Sequence, residues 1–382
     1  MKMLFKAVLV TFVGALMLVA LAKPGAAGSP VGGMAPTGND YKILAPISQG
    51  DLTIYPVVST KVHDTSDFLT LDEGIRSGEV VVTEVGNIHG MVRRNPPVQR
   101  TYSNGEVNRL VLVNNSKHPL ILLAGEVVTG GKQDRVVAKD RIVPAESDPV
   151  DLGVFCVEHG RWVESSTKFD THASVMLQPS VRKNAMADKS QQQVWDGVSK
   201  AKTNMEANLR AAAPTAGSSG SVGQEYSYYV RELGETSSYA KARENKVMQK
   251  QVEAITEPMQ KSYESVIKQL RNQNAVGVVV AVKGRIVWAD MFASGTLLGK
   301  YWPKLLESYA TEALTVPGAR AEASAKEAQE FLDNWQSNHE VVDSEPGLYR
   351  QRELTGNRFK AFELTSLLPK QSFDVHLSKM AE

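Results

Sequence analysis

Between residues 107 and 158, short apolar runs rich in β-branched side chains alternate with turn clusters too closely to leave room for parallel strand pairing. Residues 107–113 end in Asn114-Asn115-Ser116-Lys117-His118-Pro119, and residues 120–128 return. Residues 135–143 and 150–158 repeat the pattern around Pro144-Ala145-Glu146-Ser147-Asp148-Pro149. Parallel neighbours need crossovers of about a dozen residues or more, so four strands at this spacing predict an antiparallel sheet or sandwich. The first two runs read as a hairpin.

The remaining chain mixes this β pattern with helical periodicity, which makes the fold class α+β. Before the β-rich stretch, residues 41–58 read as two strands about Ser48-Gln49-Gly50-Asp51. A short helix is expected to start near Thr70, with Asp72 and Glu73 at its positive end, and a strand at 79–85. After residue 181 the period changes. Val194, Val198, Ala201, Met205 and Leu209 mark one face of a helix over 188–210, and the Gly/Ser-rich run 211–224 then reads as a linker. Met248, Val252, Ile255, Met259, Tyr263, Val266 and Leu270 form an apolar seam within a helical pattern over 237–273, with Pro258 expected to kink it or start a new helix. Residues 276–282 and 286–291 flank Lys283-Gly284-Arg285 as a hairpin, followed by a helix in which Pro303 is expected in the first turn of the main segment. Another helix at 319–335, strands at 348–354 and 358–364 about Thr355-Gly356-Asn357, and a closing strand at 372–377 complete a C-terminal hairpin-helix-hairpin part. The expected division is a single α+β domain over 41–382: a β-rich part 41–181, a helical segment with a flexible linker 182–273, and an α+β part 274–382.

Residues 1–27 read as a signal peptide. Lys2 and Lys6 precede an apolar run over 7–21, and the small residues Ala20, Ala22, Ala26 and Ala27 offer cleavage after Ala22 or Ala27. The run is shorter than the roughly 20 apolar residues of a spanning helix, so no stable membrane span is expected after cleavage. Residues 28–40, with four glycines and two prolines, read as a flexible leader. The expected location is secreted or periplasmic. The whole chain carries 43 basic and 42 acidic residues; removing 1–27 takes away Lys2, Lys6 and Lys23 and no acids, leaving 40 against 42. Near-neutral charge offers no field for nucleic acid. One cysteine cannot form an intramolecular disulfide.

Chemistry-bearing residues concentrate in 120–162. Glu126 falls on an otherwise apolar strand face, where it needs either an ion-pair partner among Arg135, Arg141 and Arg161 or a ligand or proton to handle. Gly125, Gly130, Gly131 and Lys132 do not make a phosphate loop: the spacing is wrong, and Gln133 stands where Ser or Thr would be required. The glycines read as a tight turn or bulge. Cys156 shares a strand face with Val154 and Glu158, and the carboxylate would raise its pKa, which favours a buried thiol over a nucleophile. Cys156 and His159 are three apart, an odd offset on a strand, so no metal or other cofactor is assigned. Arg161 and Trp162 are read as stacking on each other or on a planar ligand. Asp290, Glu307 and Glu312 are read as solvated or paired surface acids.

The runs AGEVVTGGKQDRVV at 124–137, FCVEHGRW at 155–162, GVVVAVKGRIVWADMF at 277–292 and YWPKLLESYATEAL at 301–314 resemble the ARG- and rhodanese-phosphatase-superfamily-associated protein domain family. The resemblance implies membership of that family and a ligand or partner site, and carries no established activity. The candidate ligand-binding residues are Glu126, Lys132, Gln133, Arg135, Cys156, Glu158, Arg161 and Trp162. The leading expectation is an exported binding module with a polar pocket for a small molecule or a protein partner. The alternative is a hydrolase or transferase using Glu126 or Glu158 as acid/base, possibly with Cys156; convergence of the three on an open cleft would favour it.

Overall fold

The computed structural model describes residues 40–87, 109–171, 175–213, 221–270 and 273–382. The signal peptide, nearly all of the leader and the centre of the 211–224 linker lie outside the described residues. The fold is α+β and mostly antiparallel, and no described helix is long and apolar enough to cross a membrane.

Its largest element is a nine-stranded sheet. In spatial order it runs Lys42–Ile43, Leu52–Ser59, Asn274–Val282, Arg285–Phe292, Asp374–Ala381, Phe359–Ser366, Tyr349–Gly356 and Ser337–Glu345, with Ile47–Gln49 also paired to Leu52–Ser59. The first strands of the N-terminal part thus belong to the C-terminal sheet. The unbroken apolar run of Asn274–Val282 suits a strand buried on both faces. One face meets the main core: Ile54, Val278, Val280 and Trp288 pack with Leu297, Tyr301 and Leu305 of helix Gly295–Thr315 and Met248 and Met259 of helix Lys246–Lys268. On the other face, Tyr55, Val279, Ala281 and Leu377 pack with Ala328 and Leu332 of helix Ala325–Asp333. The turn between the two central strands has Lys283 at φ 51° and Gly284 at φ 71°, the left-handed pair a two-residue hairpin requires.

The hairpin expected from 107–113 and 120–128 does not form. Strand Arg109–Asn114 lies between Val80–Glu84 and Val150–Cys156 in a five-stranded sheet completed by Arg135–Val137 and Val127–Val128. Leu120–Leu122 instead pairs with Arg141–Val143 and, in parallel, with Leu69–Thr70. The long runs break because Gly125 turns the chain at φ +97°, dividing 120–128 into two short strands. A Cβ at Gly125 would meet the Arg182 side chain at 2.8 Å, so the position excludes larger residues twice over.

Helix Leu71–Arg76 starts as expected, with Thr70 and Glu73 forming a capping box. The five seam residues of helix Gln191–Ala211 are buried, as are Met248, Val252, Ile255, Met259 and Tyr263 of Lys246–Lys268. Pro258 neither ends nor restarts that helix: it and Ala254, whose carbonyl it leaves without its usual partner, are both exposed, so water can serve that oxygen. Pro303 sits inside Gly295–Thr315 rather than in its first turn. The residue four before it is the exposed Gly299, which leaves the proline ring room. Elements not anticipated include the short helix Pro179–Lys183, the helix Ser221–Glu235, whose first four residues fall in the run expected to be a linker, and the polar strand Ser337–Glu345.

Candidate functional site

The motif residues are distributed between two separate ion-pair groups. Glu126 is buried against helix Gly295–Thr315, where it pairs with Lys304 and accepts a hydrogen bond from the Leu123 amide at 2.6 Å. Asp72 holds the same ammonium at 2.8 Å. Burial works against the charged Lys304, but the two carboxylates outweigh it and raise its pKa; burial also pushes Glu126 upward. None of the three arginines considered from the sequence is its partner. The turn at Gly125 takes Glu126 out of a continuous strand, and a lysine some 180 residues away in sequence reaches it instead.

Glu158 belongs to the second group. Its Oε2 accepts from Arg161 Nε at 2.7 Å and from the Asp134 amide at 3.2 Å. Asp134 in turn accepts from Ser238 Oγ at 2.6 Å and the Gly130 amide at 3.1 Å. Arg161 also donates to the Gly131 and Val163 carbonyls, so its guanidinium does not stack on Trp162. Lys132 does, with Nζ 5.3 Å from the ring centroid of Trp162, which is 49% exposed. Gln133 and Arg135 are buried; Arg135 donates to the Gln133 carbonyl at 2.7 Å and stands 3.7 Å from Glu84. Gly131 makes the tight turn expected of it, since a Cβ there would overlap the Phe169 ring at 2.3 Å.

Cys156 is buried, and burial lifts its thiol pKa to about 11. The Gln191 side chain accepts from its amide at 2.8 Å and donates to its carbonyl at 2.9 Å, extending the strand's hydrogen bonding. Glu126, Glu158 and Cys156 therefore do not share an open cleft. Among the described residues, no group of three or more His, Cys, Asp or Glu side chains is placed to hold a metal ion.

A third buried network joins the sheets. His376 lies between Asp140, 2.6 Å from Nδ1, and Asp290, 3.1 Å from Nε2. Asp290 also accepts from Arg182 Nη1 at 2.9 Å and Tyr309 OH at 2.5 Å. Arg182 Nε and the Ala124 carbonyl, 2.8 Å apart, tie it back to the first motif, as does the 2.7 Å bond from the Ala124 amide to Asp140. Burial disfavours charge on both members of the central pair. For His376 the two aspartates outweigh it and lift the pKa to about 9; for Asp290, Arg182 and His376 hold the carboxyl below the ordinary range. Asp290 is thus no surface acid, nor is Glu312, which accepts from Gln178 and Ser180 in the core. The available signal was an ionisable residue inside an apolar strand: Asp290 in Trp-Ala-Asp-Met-Phe and His376 in Asp-Val-His-Leu.

Among the open clefts of the described residues, two lie against helices Lys246–Lys268 and Gly295–Thr315. The larger, about 740 Å³, lies among residues 62–66, the end of helix Lys246–Lys268 and the start of Gly295–Thr315. Its ionic groups Asp64, Glu264 and Lys268 are exposed surface side chains. The smaller, about 280 Å³, is lined by Arg243, Glu244, Gln249, Glu253, Thr256 and Glu307 with Val175 and Val252. Gln249, Val252, Glu253 and Thr256 follow the i, i+3, i+4, i+7 spacing of one helical face. Asn245 caps this helix by accepting from the Val247 and Met248 amides, at the bend after Arg243. Arg243 is only 6% exposed, and its Nη2 donates to Glu307 at 3.3 Å while Nη1 is buried with no hydrogen-bond acceptor. Burial raises the Glu307 pKa; Arg243 pulls it down and Glu253 adds to the rise.

Comparison with curated proteins and with solved structures gives no match. The family model of the ARG and Rhodanese-Phosphatase-superfamily-associated Protein domain matches residues 40–380, nearly the whole chain, and the protein belongs to that family.

Proposed function

We propose that the protein is an exported, non-catalytic binding module for a small polar molecule, with the ligand seated in the cleft lined by Arg243 and Glu307. One contrast supports the reading. The groups that acid/base or thiol chemistry would use, Glu126, Glu158 and Cys156, are buried, whereas the Arg243–Glu307 ion pair, 3.3 Å apart, lines an open cavity with its carboxylate half exposed. On this reading the 120–162 motifs are the frame: their ion pairs fix the turns and hold the small sheets to helix Gly295–Thr315.

The test is a metabolite screen by thermal shift on the full chain, repeated on Arg243→Gln. Hits that stabilise the native protein and lose their effect in the variant are expected. Binding that ignores Arg243 would remove this site, and catalytic turnover of a hit would overturn the module. Export rests on the Lys-flanked apolar run, and N-terminal sequencing from the expressing cell is expected to begin at Lys23 or Gly28.

A further inference from the structure

We propose that the protein forms a two-fold symmetric dimer by pairing strand Ser337–Glu345 antiparallel with the same strand of a second copy. This strand ends the nine-stranded sheet, and among the described residues no other strand pairs with its outer edge. Every residue from 337 to 344 is exposed. The edge thus presents a row of backbone N–H and C=O groups, a template for another strand. Proteins usually guard such an edge with charge, proline or a bulge. Here the bulge lies at the start of the strand, between Ser337 and His339; from His339 to Glu345 the pairing with Tyr349–Gly356 is regular, and there is no proline. The three acids of that stretch are each met by a cation of the same chain: Glu340 by Arg352 at 2.7 Å, Asp343 by Lys139, and Glu345 by Arg141 at 3.0 Å. Their charge is therefore largely offset before a second edge approaches. Val341 and Val342, 45% and 53% exposed, point to opposite faces and leave apolar surface at the middle of the strand.

The strand's own sequence favours a second copy as the occupant, in one register. A two-fold axis through an antiparallel pair sets one residue against itself, so each register is named by its central residue. Centring on Glu340 or Asp343 opposes two like acids, and centring on Ser344 opposes Asp343 to Glu345; both arrangements are destabilising. Centring on Val342 shortens the overlap to 339–345 and sets Val341 against Asp343. Centring on Val341, the midpoint of the nine-residue strand, uses its whole length. Val341 then meets its own symmetry mate, Glu340 meets Val342, and His339 meets Asp343 on both sides of the axis. The Asp343 side chain is 58% exposed and His339 is exposed as well, so imidazole and carboxylate can hydrogen-bond across the join. No like charges stand directly opposite one another in this register.

The test is disulfide cross-linking of the full chain carrying one added cysteine, for which the buried Cys156 gives a low background. Directly opposed residues bring Cβ atoms about 5 Å apart, within reach of a disulfide, whereas diagonal neighbours are about 7–8 Å apart. In the proposed register residue 341 faces itself and residue 342 lies diagonal to itself. Val341→Cys is therefore expected to give covalent dimer under mild oxidation at least about tenfold faster than Val342→Cys. Equal rates, or no covalent dimer from either variant, would overturn the proposal. Sedimentation without cross-linking is the second measurement. The native chain is expected to dimerise as its concentration rises. Val341→Lys, which opposes two ammonium groups on the axis, is expected to be monomeric, and Val342→Lys, facing Glu340, to remain dimeric. His339→Asp turns two attractive pairs into repulsive ones and is expected to weaken association about tenfold or more. A native chain that stays monomeric up to about 100 µM, or a dimer indifferent to Val341→Lys, would overturn the proposal.

Discussion

Strand Asp374–Ala381 buries two cationic side chains three residues apart, hence on opposite faces, and the protein treats them in opposite ways. His376 faces the main core between Asp140 and Asp290, with 1% of its surface exposed. Lys379, with none exposed, faces helix Ala325–Asp333, where the rings of Phe359, Phe331 and Trp335 lie 4.2, 4.7 and 4.8 Å from its Nζ. It donates to the Phe331 and Asn334 carbonyls at the negative end of that helix. Desolvation penalises both charges. Full carboxylates overcome it and raise His376 from 6.5 to about 9; rings, carbonyls and a distant Asp333 do not, and Lys379 falls from 10.5 to about 7. The comparison teaches that partial charges can position a buried cation without keeping it charged, whereas formal opposite charges do both.

Breaking the carboxylate side should have the largest effect. Asp290→Asn leaves Arg182 buried without its counter-charge and disrupts the bonds to His376 and Tyr309, so stability is expected to fall by about 3–5 kcal/mol. Urea unfolding would measure this. The double variant Arg182→Met/Asp290→Leu, which removes the charge together with its partner, should recover part of the loss; an equal or greater loss would remove the ion-pair account.

The titration of the two cations gives a smaller and more specific effect. Between pH 6.5 and about 9 the folded state holds a proton on His376 that the unfolded state releases, so this contribution is present at low pH and lost as pH rises. Between about pH 7 and 10.5 the unfolded state holds a proton on Lys379 that the folded state lacks, so stability rises with pH there. The two slopes oppose one another from about pH 7 to 9. Relative to the native protein, His376→Gln is therefore expected to tilt stability upward with pH across this window and Lys379→Met downward. Each tilt is at most about 1.4 kcal/mol per pH unit. Unfolding midpoints in buffers across the window test the signs, and tilts in the same direction would contradict the assignment.

Cys156 supplies the neutral reference for the pair, with the smallest expected effect. Its thiol, lifted to about 11 by burial, stays protonated through the same window. Cys156→Ala should cost roughly 1 kcal/mol without altering the pH dependence. Thiol labelling of the folded protein should be slow relative to the denatured chain, and fast labelling would show that the thiol is accessible.

Much of the local structure was legible because it follows from periodicity and turn chemistry. The seams of the two long helices, the Lys283-Gly284 hairpin and the Thr70 capping box each depend on residues within a few positions of one another. The strand Ser337–Glu345 was not legible because its residues are polar and mostly exposed; Arg352 and the ion pairs of Lys139 and Arg141 hold it in place. At the site, the sequence singled out Glu126 as an acid needing a partner and Glu158 as a candidate acid/base or ligand-binding residue. It could not choose Lys304 for the first, and it passed over Arg243.

By itself the sequence determined the fold class, the antiparallel character, the helix faces and the places where a glycine was required, since these are set by short-range sterics and by the alternation of apolar residues. Only the tertiary structure decided strand order and which charges meet. Arg109–Asn114 has more than one chemically acceptable neighbour, and Asp140, Arg182, Asp290 and His376 lie on segments far apart in the chain. A buried charge requires a partner, but nothing local encodes which one; that follows from how the elements pack, and the same packing makes His376 a held cation and Lys379 a reluctant one.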